Sequence, residues 1–347
     1  MDLEPLFYHL FKYIKPSIAV EGIELANKVW QIAPGGKFRT PSALYLRKQL
    51  KMDLKTVPGI SIEYEIERVK GRNVDFTPTK LYQIDNAKLL DGYLYSSNLR
   101  FILNHHKESI FNFIGQKKQI EKGFISSTWS SNKYFGHWIH DECTNILAAK
   151  ELSVTPYTTR ADPYLHQSGY EKLFNLKSHY LERAFIKKAL LLDDSTLNSY
   201  RQKRLQKLRD LTHSSTQSSD NDYIYIGRGI SGATNRGLVN ESALIDKLKS
   251  SGFVIIEPET MSVGEILNCT MNAKVIMGVE GSSLSHGFLS VNPNGILVAL
   301  VPEYQFNNPY QDLCSVLDLR YGFIVGEKVK GGFSINFNDI DEFMSMV

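Results

Sequence analysis

Short stretches of this 347-residue chain concentrate side chains that can move protons or hold anions. The densest is Phe135-Gly136-His137-Trp138-Ile139-His140-Asp141-Glu142, with paired histidines, paired carboxylates and a tryptophan. His137 and Asp141 stand four apart, on one face if the segment is helical. An aspartate so placed can set the imidazole tautomer, or take a proton itself as a general base. His137, His140 and Asp141 have no H-E-x-x-H spacing and no distant acid to complete a metal set, so bound metal is not indicated.

The second stretch is a loop, Gly227-Arg228-Gly229-Ile230-Ser231-Gly232, continuing to Asn235, Arg236 and Gly237. It is formally G-x-G-x-x-G, with Glu257 where a dinucleotide fold puts its ribose acid. The third glycine should open a helix, yet several residues intervene before the cap at Asn240, so a nicotinamide site is the weaker reading. Arg228 and Arg236 suit a diphosphate, because a planar guanidinium fork matches phosphate oxygens. The third stretch is Val279-Glu280-Gly281-Ser282-Ser283-Leu284-Ser285-His286. A strand end, a glycine turn, small hydroxyl residues and a new helix make a phosphate cradle from backbone N–H groups, with Ser282 and Ser283 as further donors. Simple helix capping explains the same residues. Two D-x-D strings, Asp220-Asn221-Asp222 and Asp339-Ile340-Asp341, read as solvated acids.

The elements that must position these residues change character along the chain. Up to about residue 190 helix-like and strand-like patterns are mixed. Thr40-Pro41 reads as a helix start, Ser61–Val69 as an alternating strand and Asn104–Ile120 as a helix. Lys187–Asp194 reads as a buried strand, and Ser195–Leu211 as a basic, solvent-facing helix. Beyond residue 222 strands and helices alternate: Tyr223–Ile226, Asn240–Ser250, Phe253–Ile256, Ser262–Asn272 with the capping box Ser262/Glu265, Lys274–Val279, Ser283–Leu289 and Gly295–Val301. Such alternation predicts a Rossmann-like domain whose ligand lies at the carboxyl ends of the parallel strands, where Arg228 and Gly281 fall. The polar stretch 213–222 is the expected linker, giving an N-terminal α/β domain 1–212, a C-terminal domain 223–330 and a tail 331–347 that packs back on the first domain.

Composition narrows the class. With 40 basic residues against 37 acidic ones the charge is +3, which argues against a nucleic-acid partner; at 42% apolar the chain can bury two cores. The 3 cysteines form no C-x-x-C and suit a reducing, cytoplasmic compartment. No apolar run is long enough to span a membrane, and no signal peptide is evident. Residues 3–14 carry an apolar stripe at helical spacing; packing on its own domain is the plainer expectation, and peripheral contact with the inner face of a membrane the sharper one. Oligomeric state is not legible.

Taken in order, FGHWIHDE (135–142), YIGR (225–228), NRGLVNE (235–241), GFVIIEPETMSVGEI (252–266) and AKVIMGVEGSSLSHGFLSVNPNG (273–295) resemble the family 61 glycosyltransferases. The resemblance implies an α/β GT-B arrangement, two Rossmann-like domains facing across a cleft, with a nucleotide-sugar donor on the C-terminal side and a glycan acceptor on the N-terminal side. It implies transfer with inversion and without an essential metal or other cofactor. Carried over by position, Arg228, Arg236, Asn240 and Glu241 fall on the donor-side loop, and Gly281, Ser282, Ser283 and His286 on the turn after the strand. Glu280 stands where the family commonly has His, Ser282 where it has Ala, His286 where Asn is frequent and Ile266 where Gln is. The Glu-Gly-Ser turn looks like the bacterial branch, which suggests a UDP-sugar used in capsule, lipopolysaccharide or exopolysaccharide assembly.

The expected chemistry is a single displacement in which a base takes the acceptor proton while a nucleoside diphosphate departs. Asp141 is the first candidate base, with His137 orienting it or serving instead, and Glu280 second. Domain closure would assemble the site. Two alternatives stay open: a non-catalytic nucleotide-sugar or glycan-binding module, and an NAD(P)-dependent oxidoreductase.

Overall fold

The computed structural model describes residues 20–21, 26–96, 99–104, 118–228 and 237–347. These fall into two compact units: residues up to Gly36 with Thr77–Arg204, and Lys37–Phe76 with Leu205–Val347. The change of unit falls inside the helix Ser199–Ser215 rather than at 213–222. The polar stretch decorates the second unit instead of separating two: Ser219 N–H donates to the Met271 carbonyl and Asn221 Nδ2 to that of Cys269.

In chain order the strands are β1 (Val20–Glu21), β2 (Lys28–Ala33), β3 (Gly36–Arg39), β4 (Asn73–Phe76), β5 (Thr79–Leu90), β6 (Tyr93–Ser96), β7 (Leu99–Ile102), β8 (Lys118–Ile125), β9 (Pro156–Thr158), β10 (His179–Tyr180) and β11 (Arg183–Asp193). There follow β12 (Tyr223–Ile226), β13 (Val254–Ile256), β14 (Val275–Val279), β15 (Ile296–Pro302), β16 (Arg320–Val329) and β17 (Gly332–Ser334).

The first unit holds a sheet in the order β1-β7-β6-β5-β11-β8-β9-β10, with β2 on β5. β11, β8, β9 and β10 run parallel to one another, as β1 does to β7, but β5, β6 and β7 form an antiparallel meander. This corrects the expectation of a Rossmann-like first domain. The local cause is Asp91-Gly92, both at positive φ, a two-residue turn that folds β6 back on β5. Ile84, Leu89, Leu94, Ile125, Ile186 and Leu191 form the core on this sheet.

The second unit matches its reading closely. Its sheet runs β13-β12-β14-β15-β16-β17, parallel except at β17. In chain order this is 2-1-3-4-5, a doubly wound sheet whose switch point lies where β12 and β14 adjoin. Tyr225, Met277, Val298 and Ile324 fill its core. The tail 331–347 also belongs here: Ile340 and Phe343 pack with Leu46, and Gln49 Nε2 donates to Asp339 Oδ2 at 2.8 Å. It therefore packs on an early segment that is part of the second unit.

Local readings fail where long-range contacts overrule them. Ser61–Val69 is not a strand but the helix Ile62–Lys70, capped by the Ser61 side chain. Its inward positions, 62, 65, 66 and 69, have helical spacing, but one of them is Glu65, which disguises the stripe. Thr40-Pro41 opens no helix; the Thr40 hydroxyl instead clasps the Arg72 backbone. Most of the helix read at Asn104–Ile120, and the stripe at 3–14, lie outside the described residues; Lys118–Ile120 belongs to β8. Among the described residues no helix is long and apolar enough to cross a membrane.

Candidate functional site

In the first unit, β8 leads through a polar turn into a helical turn at Phe135–His137, a π-helical turn at Trp138–Glu142 and the helix Cys143–Glu151. The extra residue of a π turn re-aims side chains within a continuing helix, a distortion common at functional positions. Buried Trp138 and the Phe135 ring stacked on it anchor the start, with Tyr164 and His166 edge-on to Phe135.

His137 Nδ1 lies 2.7 Å from Asp141 Oδ2. A carboxylate can only accept, so in the neutral ring Nδ1 carries the proton and Nε2 the lone pair. The other Asp141 oxygen is paired with the Arg201 guanidinium, which also donates to the His140 carbonyl at 3.2 Å and to that of Asp194. Burial alone would raise the Asp141 pKa, but Arg201 and His137 overcome it and hold the carboxyl well below the usual range. Burial pulls His137 down, and Asp141 more than restores it, so its pKa rises above the ordinary 6.5. The His137 side chain is 49% exposed and that of Asp141 16%, so the imidazole is the member that can reach a substrate. His140 is enclosed and pushed down to about 3 by burial, a neutral imidazole.

Arg201 was missed in the sequence. The helix read as basic and solvent-facing is the helix Ser199–Ser215, and it buries Arg201, Arg204 and Arg209. Arg204 pairs with Asp194, and Arg209 holds the carbonyls of Phe288 and Val291. Leu205 and Leu208 lie on the same inward face, a stripe that could have signalled it.

Glu142 is buried and pushed up to about 7 by desolvation, against hydrogen bonds that lower it. Between its ordinary 4.5 and about 7 the folded chain holds a proton that the unfolded chain has lost, so this group makes stability fall as pH rises through that window. Glu142→Gln is expected to flatten that fall and to be the more stable protein at pH 8. Thermal midpoints at acid and alkaline pH for both proteins check this.

In the second unit, Arg228 follows β12 and the Glu280–Ser283 turn follows β14, on either side of the switch point. Arg228 Nη1 donates to the Glu280 carbonyl at 3.5 Å, and partial burial lowers its pKa. Glu241 accepts from Tyr225 Oη at 2.8 Å and from the Arg228 N–H at 3.1 Å, so it props the loop. Asn240 exchanges hydrogen bonds with the Ile335 backbone. Both side chains thus serve the chain's own framework. Arg236 lies outside the described residues.

Gly281 has φ +150°, and nothing lies within 4 Å of where a side chain would begin, so the turn is open on that side. Tyr310 Oη fixes its carbonyl at 3.1 Å. The first helical bonds are donated by Leu284, Ser285 and His286, which leaves the Ser282 and Ser283 N–H groups outside the ladder, on partly exposed residues. Glu280 is 4% exposed and His286 1%; both are enclosed beside the turn. Three of the four D-x-D acids are committed: Asp222 to Lys274, Asp341 to Lys247, and Asp339, which is buried rather than solvated, to Gln49 and Lys48. Among the described residues no group of three or more His, Cys, Asp or Glu side chains is arranged to hold a metal ion.

A doubly wound sheet with an open turn and an arginine at its switch point defines an α/β protein of the kind that binds its ligand beyond the strand ends. Residues 135–297 match the family described as Glycosyltransferase 61, from the first residue of the His137–Asp141 turn into β15. That segment is a Glycosyltransferase 61 domain, which supports glycosyltransferase activity. No curated protein matches it.

Proposed function

We propose that the chain transfers a sugar, with inversion, from a nucleoside-diphosphate donor to a glycan hydroxyl. UDP-sugar is the expected donor and surface polysaccharide the expected product. The observation that carries the reading is the His137–Asp141–Arg201 set inside the matched family segment. Asp141, ionised and held by Arg201, is a poor proton acceptor; the half-exposed His137 takes the base role instead. Its Nε2 removes the acceptor hydroxyl proton, the oxygen bonds to the anomeric carbon, and the bond to the diphosphate breaks with its electron pair leaving on the phosphate.

On the donor side, Arg228 and the N–H groups of Ser282 and Ser283 stabilise the departing diphosphate, and Gly281 lets it approach. Arg228→Ala is expected to weaken UDP binding by about 1–3 kcal/mol, the loss of a charge-assisted contact. Calorimetric titration measures it, and unchanged affinity removes Arg228 from the site. Guanidinium and amide groups take the place of a divalent ion in this reading, so EDTA is expected to leave the transfer rate unchanged. Strict dependence on added Mn²⁺ would contradict that expectation.

A further inference from the structure

In the segment that leads into His137 the chain holds two large aromatic rings out to solvent. Trp129 is 43% exposed and Tyr134 40%. The Tyr134 ring centroid is 5.9 Å from that of His137. The Lys133 ammonium lies over both rings, 5.3 Å from the Trp129 centroid and 5.2 Å from that of Tyr134. Among the described residues no carboxylate pairs with this lysine.

The segment that presents them is tightly fastened. Thr128 and Ser131 exchange bonds, Thr128 N–H to Ser131 Oγ at 2.8 Å and Ser131 N–H to Thr128 Oγ1 at 3.0 Å. Ser131 Oγ lies 3.0 Å from Glu142 Oε2, on the same helical segment as His137. Tyr164 Oη donates to the Ser131 carbonyl at 2.7 Å, and Arg160 Nη1 to that of Asn132 at 2.9 Å. The Asn132 amide in turn reaches Thr159 Oγ1 at 2.7 Å. Burying the rings would stabilise the fold, yet the backbone is fixed so that they stay out. A rigid, exposed aromatic surface with its place set relative to a reactive group is what a ligand-stacking site requires.

We propose that Trp129 and Tyr134 form the acceptor platform, on which a pyranose ring packs its C–H face, and that Lys133 selects an acceptor sugar carrying a carboxylate. This rests on the assignment of His137 as the group that meets the acceptor hydroxyl. Tyr134 stands beside that imidazole, and the Lys133 ammonium over the two rings has no carboxylate partner among the described residues. A ring stacked there carries its hydroxyls toward His137 and its acid toward Lys133.

The test is direct binding of trigalacturonate to the full chain, measured calorimetrically without donor, with neutral galactotriose as the comparison. Trigalacturonate is expected to bind and galactotriose to bind more weakly. Trp129→Ala and Tyr134→Ala are each expected to weaken trigalacturonate about tenfold, in line with the loss of one stacking contact. Tyr134→Phe keeps the affinity, as does Trp30→Ala, which removes an equally exposed indole on β2. Lys133→Gln removes the preference for the acidic ligand. Absence of trigalacturonate binding, equal binding of the neutral sugar, or Ala variants that bind normally would overturn the proposal. Turnover plays no part in this readout, so its failure leaves the base and donor assignments to their own measurements.

Discussion

His137→Gln is expected to lower the transfer rate by about 10²–10⁴-fold, the usual contribution of a positioned general base, while UDP affinity stays within a factor of two. The imidazole is the half-exposed member of its pair, and its Nδ1 proton is already given to Asp141, so Nε2 is the acceptor. Because Asp141 raises the His137 pKa, wild-type activity is expected to rise with pH through a value above 6.5, where the imidazole loses its proton and becomes a base. Asp141→Asn removes the group that raises this pKa and leaves Arg201 nearby, which lowers it. The acid limb of the rate profile is therefore expected to move to lower pH, with a reduced plateau. Initial rates between pH 5 and pH 9 for the three proteins read both effects. A profile that keeps its acid limb in Asp141→Asn would detach the aspartate from the histidine, and a normal rate in His137→Gln would leave the reaction without this base.

Arg204→Ala is expected to destabilise the chain by about 3–5 kcal/mol, because it strands a buried carboxylate. Arg204 is 1% exposed; it pairs with Asp194, donates to the Thr144 carbonyl at 3.0 Å and lies over the Tyr200 ring at 4.1 Å. The comparison that isolates the stranded charge is Arg204→Met with and without Asp194→Asn. Removing the aspartate's charge should recover part of the loss, since the penalty lies chiefly in the uncompensated ion. Urea midpoints measure this, and equal midpoints for the wild type and Arg204→Ala would show that the pair contributes nothing.

What could be read from residues alone follows the range of the interactions that decide each element. In the second unit each strand and its following helix are contiguous, and the capping box at Ser262 and Glu265 forms as its spacing indicates. The alternation from Tyr223 onward therefore translated directly into a parallel sheet. The first unit is governed by pairings distant in sequence, such as β5 with β11, and these leave no local trace. Glu65, an acid on the inward face of a helix, broke the stripe that would have revealed it; it is held there by Arg68 and by the Asn308 N–H at 2.9 Å. The same ambiguity hid Arg201. An arginine-rich helix is ordinarily a solvated one, and only the Asp141 carboxylate, sixty positions earlier, makes its burial sensible. Spacing alone paired His137 with Asp141, but it could not rank them as bases; the ranking comes from Arg201 and from exposure.

The proposed transfer rests on a nucleoside diphosphate held by backbone and guanidinium groups at the switch point of the second sheet. A crystal structure of the chain with UDP tests it most directly. Diphosphate oxygens are expected within hydrogen-bond distance of the Ser282 and Ser283 N–H groups and of the Arg228 guanidinium. UDP bound away from the carboxyl ends of β12 and β14 would contradict it.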